Sequence, residues 1–117
     1  MSAEERIKKY AIECGSSVAG IASVEDINRY APEGHRPDDI LPNAKSVVVT
    51  GGPLYTMGAW RSPNPRITAL TEAYPMIRRA VALKVATLIE REYGHYAIFY
   101  EGQTKSGNNP FLSLKLR

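Results

Sequence analysis

The stretch "APEGHRPDDILPNAKSVVVTGGPL", residues 31–54, sets three consecutive valines, Val47 to Val49, between a proline-rich lead-in and a Gly-Gly-Pro stop. An apolar run without alternation, bounded on both sides by turn residues, reads as a strand covered on both faces. It therefore predicts the central strand of a sheet. Gly51, Gly52 and Pro53 read as a tight turn off that strand, with glycine leaving room for close backbone approach, including approach by the edge of a cofactor. The lead-in reads as an irregular loop in which Asp38 caps one helical turn, "DDIL".

Upstream, "AEERIKKYAIEC" (residues 3–14) places Ile7, Ala11 and Cys14 at helical spacing with Tyr10 beside them, and Gly15 stands at the C-terminal cap position. "SSVAGIAS" is small and β-branched, as suits a buried strand, and "VEDINRY" reads as a short helix ending before Pro32. Downstream, Tyr55 to Pro65 forms a second irregular loop around Trp60, the one tryptophan. From Ile67 to Tyr93 the chain reads as a long helix with Pro75 marking a break or a new first turn. Ile77, Val81, Val85 and Leu88, with Ala80 and Ala82, make it apolar around much of its circumference, so it is expected at the centre of the packing. "HYAIFYE" (95–101) reads as a further strand. Asn109-Pro110 reads as a helix entry into "FLSLKLR", so the chain is expected to stop inside a helix that leaves Phe111, Leu112, Leu114 and Leu116 seeking a partner. Homodimerisation through that segment follows as an expectation. The fold class is α+β: a small mixed sheet packed with an N-terminal helix and one long central helix, in a single domain spanning residues 1–117.

The whole-chain figures narrow the function classes. At 44% hydrophobic and 23% charged, the 117 residues match a folded globular domain rather than a disordered or fibrous chain. A net charge of +3, with only Arg78, Arg79 and Lys84 forming a short basic set, is far from the stripe of a nucleic-acid binder. Nucleic acid is not the expected partner, and no apolar run approaches the roughly 18 residues of a membrane span. The lone Cys14 excludes an intramolecular disulfide and points to the cytoplasm. It also excludes an iron–sulfur cluster or structural zinc held by this chain alone, since each needs about four ligands.

His35, beside Arg36 and Asp38, could serve as an acid, a base or a ligand, although hydrogen bonding within the loop is the commoner role for such a residue. His95 opens a strand and reads as structural. Tyr55, Trp60, Tyr74 and the set Tyr96, Phe99 and Tyr100 could line a planar ligand, but aromatics at this spacing are more often core. No nucleophile elbow is present.

Residues 31–54 also resemble the N-terminal region of epoxyqueuosine reductase-like proteins, relatives of the corrinoid-dependent reductive dehalogenases. The matching positions are Pro32, Glu33, Gly34, His35, Arg36, Pro37, Asp39 and Pro42, then Gly51 and Pro53 after the strand. "CGSSVAGIAS" (14–23) is similar to the family's preceding strand, and the long helix, "HYAIFYE" and "NPFLSLKL" follow the family's order. The resemblance implies part of a nitroreductase-like fold and an oxidoreductase that uses cobalamin and 4Fe-4S clusters, with FMN as a further candidate. It also implies that the glycine-rich continuation and the cluster-bearing module lie beyond Arg117, leaving the chain inactive alone. The residues it points to for the cofactor wall are His35, Arg36, Gly51, Gly52, Pro53 and Tyr55. The family's catalytic acid does not transfer: its segment here reads "YEGQTKSGNNP", and Glu101 is a poor match. The alternative is a short, non-catalytic paralogue that dimerises and binds a small ligand or a protein.

Overall fold

The computed structural model describes residues 1–54, 56–63, 70–101 and 112–116. Helix α1 (Ala3–Glu13) opens on an N-cap at Ser2, whose hydroxyl accepts from the Glu5 amide at 3.2 Å. It closes on Gly15 at φ +124°, with the Gly15 amide donating to Ile12 and the Ser16 amide to Ala11. These paired bonds form a Schellman cap, which turns the chain sharply into strand β1 (Val18–Ser23). The residue that ends β1, Ser23, is also the N-cap of α2 (Val24–Asn28), accepting from the Asp26 amide at 3.1 Å. After the loop come α3 (Pro37–Ile40), β2 (Ser46–Gly51), α4 (Met57–Arg61), α5 (Leu70–Tyr93), β3 (Ala97–Glu101) and β4 (Leu112–Leu116).

The chain is α+β, as expected, but its sheet is antiparallel throughout rather than mixed, in the order β1-β2-β4-β3. Strand β2 is central, with Val47 and Val48 buried on opposite faces, while Val49 is 43% exposed. Its run of valines is therefore covered on both sides for only part of its length. β1 is an edge strand with Val18 exposed, not the buried strand that its small residues suggested.

The segment expected to begin a terminal helix is instead β4, inserted between β2 and β3. The reason is in the residues: Leu112-Ser113-Leu114-Lys115-Leu116 alternates with period two, which a strand can sort onto two faces and a helix cannot. The register puts Leu114 opposite Val48 on one side and Phe99 on the other. Because β4 is paired along both edges, its backbone offers no free edge to a second copy. Phe111, the other residue in the expected dimer contact, lies outside the described residues, as do Tyr55, 64–69 and 102–110.

Two layers of helix cover the sheet. On one face, α1 and α5 bury Ile7, Ala11, Val81, Ala82, Val85, Ala86, Leu88 and Ile89 against Val48 and Ala97. On the other, α2 and the α3 loop close a smaller cluster of Val24, Ala44 and Val47 with Ile27 and Leu41. Helix α5 runs unbroken through Pro75. Contrary to its expected central place, only one side of it is covered: Met76 is 67% exposed and Leu83 54%.

Candidate functional site

The lead-in folds into a braced turn. The His35 amide donates to the Pro32 carbonyl at 3.1 Å, and Gly34 takes φ +87°, a conformation that favours glycine. Arg36 is the N-cap of α3 and Pro37 its first residue, where a missing N–H leaves no bond unmade. The cap acid is Asp39 rather than the expected Asp38: its Oδ2 accepts from the Arg36 amide at 2.9 Å, reaching back from the third helical position. The Arg36 side chain turns inward and donates from Nε to the Ala31 carbonyl at 3.1 Å, clasping the loop from inside. Pro37 is buried, whereas His35 is exposed. The loop chemistry thus serves shape first: Arg36 and Asp39 are spent on the backbone, and His35 stands open to solvent together with Glu33 and Asp38.

At the far end of β2 a second knot forms around Ser16, which is 6% exposed. Its hydroxyl accepts from the Gly51 amide at 3.1 Å and faces two carbonyls, Val18 at 2.6 Å and Gly51 at 2.8 Å. One hydroxyl proton serves one of these at a time, so the second carbonyl relies on the Ser17 amide, which donates to Gly51 O at 2.7 Å. Gly52 then takes φ +93° before a cis peptide to Pro53. A Cβ on Gly52 would stand 2.3 Å from Ser17 Oγ and 2.9 Å from the Ser17 backbone nitrogen. Glycine is required at this position because Ser17 already fills the space, so the close approach here is made by the protein's own chain. Removing the hub should be felt: Ser16→Ala leaves the part-buried Gly51 amide without its acceptor and should lower stability by about 1–3 kcal/mol. A denaturant titration checks this, with Ser17→Ala, which keeps the backbone bond, expected to change little.

These two knots lie apart. The six paired positions from Val18↔Gly51 to Ser23↔Ser46 separate them along the sheet by about 17 Å. His35 and Arg36 hang from α2 and α3 at the Ser46 end, and Gly51, Gly52 and Pro53 close the other. The described residues therefore bring the expected cofactor-wall positions together as two groups and not as one pocket; Tyr55 lies outside the described residues. Between the groups, Gly20 on β1 has open space where a side chain would be, and Val18 and Val49 on the same sheet face are exposed.

Shallow grooves among the described residues include two of about 420 Å³ each, neither lined by the expected positions. One, formed by Asn43, Lys45, Gly94, His95 and Tyr96, sits where α5 ends. The other lies between α1 and α5, lined by Tyr10, Leu83, Lys84, Thr87, Leu88, Arg91 and Glu92. Arg6 spans the two helices with a 2.9 Å ion pair to Glu92 and lies 5.9 Å over the Tyr10 ring. The hydrogen bond and charge of Glu92 hold the Arg6 guanidinium above its usual value, and the Tyr10 phenol is raised by its hydrogen bond to Cys14, one turn on. Sequence reasoning found neither Ser16 nor this groove, because both depend on which helix face the sheet covers.

Among the described residues, no group of three or more His, Cys, Asp or Glu side chains is placed to hold a metal ion, and no helix is long and apolar enough to cross a membrane. The single Cys14 cannot supply an iron–sulfur cluster, so the residues present do not fit that group. Comparison with family models, curated proteins and solved structures finds no match.

Proposed function

We propose that this chain is the N-terminal, cofactor-wall portion of an epoxyqueuosine reductase-like oxidoreductase with a nitroreductase-like fold, whose clusters and catalytic acid are carried by further polypeptide. In such an enzyme a corrinoid or flavin supplies the electron-transfer chemistry to an organic substrate. The observation that carries the reading is the ordered stretch of residues 31–53, whose Pro37, Arg36, Asp39 and Gly52 brace one unit. Pro37 starts a helix, Asp39 and Arg36 lock the loop, β2 forms the centre of the sheet, and Gly52 closes against Ser17.

In this reading the work is divided between the two knots. Gly51, Gly52 and Pro53 brace the β1/β2 end, while Gly34 and His35 stand open to solvent and form the part of the wall available to a ligand. The open sheet face at Val18, Gly20 and Val49 lies between them and suits the flat side of a large planar cofactor, because a sheet face with small residues lets a ring approach the backbone. The competing reading is a short, non-catalytic module that dimerises through the apolar residues of the terminal segment; Leu112–Leu116 form strand β4 between β2 and β3 rather than the terminal helix that reading started from.

The intact mass of the endogenous polypeptide tests the reading. A mass well above the 12.9 kDa of these residues is expected. A mass equal to it would sink the proposal, since one cysteine cannot carry the clusters.

A further inference from the structure

Helix α5 is apolar on two sides, and the sheet uses only one. The other side carries Ala73, Met76, Ala80, Leu83 and Thr87, spaced three, four, three and four residues apart. This is the spacing of a helix-packing seam. Ala73 and Ala80 are exposed, as are Met76 and Leu83. Thr87 adds no unmet polar group, because its hydroxyl donates to the Leu83 carbonyl at 2.8 Å. At its C-terminal half the seam runs into the α1/α5 groove, where Tyr10 and Leu88 form an apolar floor.

Charge decides what fits there. Lys84 and Arg91 line the groove and form no ion pair with a described residue. The nearby carboxylates are engaged: Glu92 pairs with Arg6, and Glu90 Oε2 accepts from the Ala97 amide at 3.0 Å. Glu13, which acts electrostatically on Tyr10, is not part of the lining. An apolar seam with uncompensated cations on its border calls for an apolar stripe bordered by acids. From Met76 to Arg91 the seam spans about 22 Å at 1.5 Å per residue, room for about four turns of partner helix.

We propose that this groove docks an acidic amphipathic helix of a partner protein. A second copy of α5 packed in parallel would set Lys84 and Arg91 against their own counterparts. A bilayer would meet Leu83 and Met76 but could not reach the recessed Tyr10 and Leu88.

The test uses a designed peptide of about 20 residues, with Leu at the seam positions and Glu at the flanks, and its twin with Lys at the flanks, followed by fluorescence anisotropy. The acidic peptide should bind saturably, and the basic twin at least about tenfold more weakly. Leu83→Asp, on an exposed position, and the pair Lys84→Glu with Arg91→Glu should each weaken the acidic peptide about tenfold or more, with circular dichroism unchanged. Equal binding of both peptides, absence of saturable binding, or variants that bind as the parent does would each overturn the proposal. So would binding of anionic phosphatidylglycerol vesicles without peptide binding, or a dimer in sedimentation that Leu83→Asp dissociates.

Discussion

Gly52→Ala is expected to destabilise the chain by about 3 kcal/mol or more, enough to leave a protein of ordinary marginal stability largely unfolded or molten on warming. Two effects add. At φ +93° any residue with a Cβ is strained, and the added carbon would meet the Ser17 backbone nitrogen at 2.9 Å as well as the Ser17 hydroxyl at 2.3 Å. The hydroxyl can rotate away. The nitrogen cannot, because it is tied to Gly51 O at 2.7 Å. Gly51→Ala is the control: its Cβ would meet only Val18 Cγ2 at 2.9 Å, on an exposed side chain free to turn, so the loss should stay under about 1 kcal/mol. Urea midpoints of the two variants measure the contrast. A Gly52→Ala midpoint equal to that of Gly51→Ala would mean that the turn at the end of β2 is not the tight, self-packed corner described above.

Ile89→Ala should cost about 2–5 kcal/mol, the range for removing a large aliphatic group from a packed site. Ile89 is 1% exposed and lies in the cluster that joins α1, α5 and Val48. Leu83→Ala, six residues earlier on the same helix but 54% exposed, should cost under about 1 kcal/mol. The pair separates two descriptions of α5. If both variants lost stability equally, the helix would be buried all round, and the docking surface proposed above would not exist.

That distinction was out of reach of the sequence. Leu83 and Met76 are as apolar as Val81, Val85 and Ile89, so a helix apolar around much of its circumference does not say how far the covering extends. Other elements were legible because several local signals agreed. Gly15 bounds α1 where its amphipathic pattern ends, "VEDINRY" gives the short α2 before Pro32, and three valines before a Gly-Gly-Pro stop make β2 central. The terminal strand departs from the expected helix for an identifiable reason: Asn109-Pro110 signals a helix entry, but the period-two leucines that follow it are the stronger signal. Of the anticipated cofactor wall, the sequence located the residues that need special backbone shapes, and these are the ones the structure shows braced. It could not show that the two groups stand at opposite ends of the sheet, since chain separation between His35 and Gly51 says nothing of direction along a strand. Ser16 had no signal at all, because a serine after a helix cap is ordinary until the partner strand's end arrives beside it.

The most direct test of the central claim is to isolate, without oxygen, the endogenous polypeptide that contains these residues, denature it, and identify any released chromophore by absorption and mass. The reductase reading predicts a corrinoid or a flavin in near-stoichiometric amount. A colourless polypeptide that releases neither, and takes up neither hydroxocobalamin nor FMN when they are supplied, would contradict it.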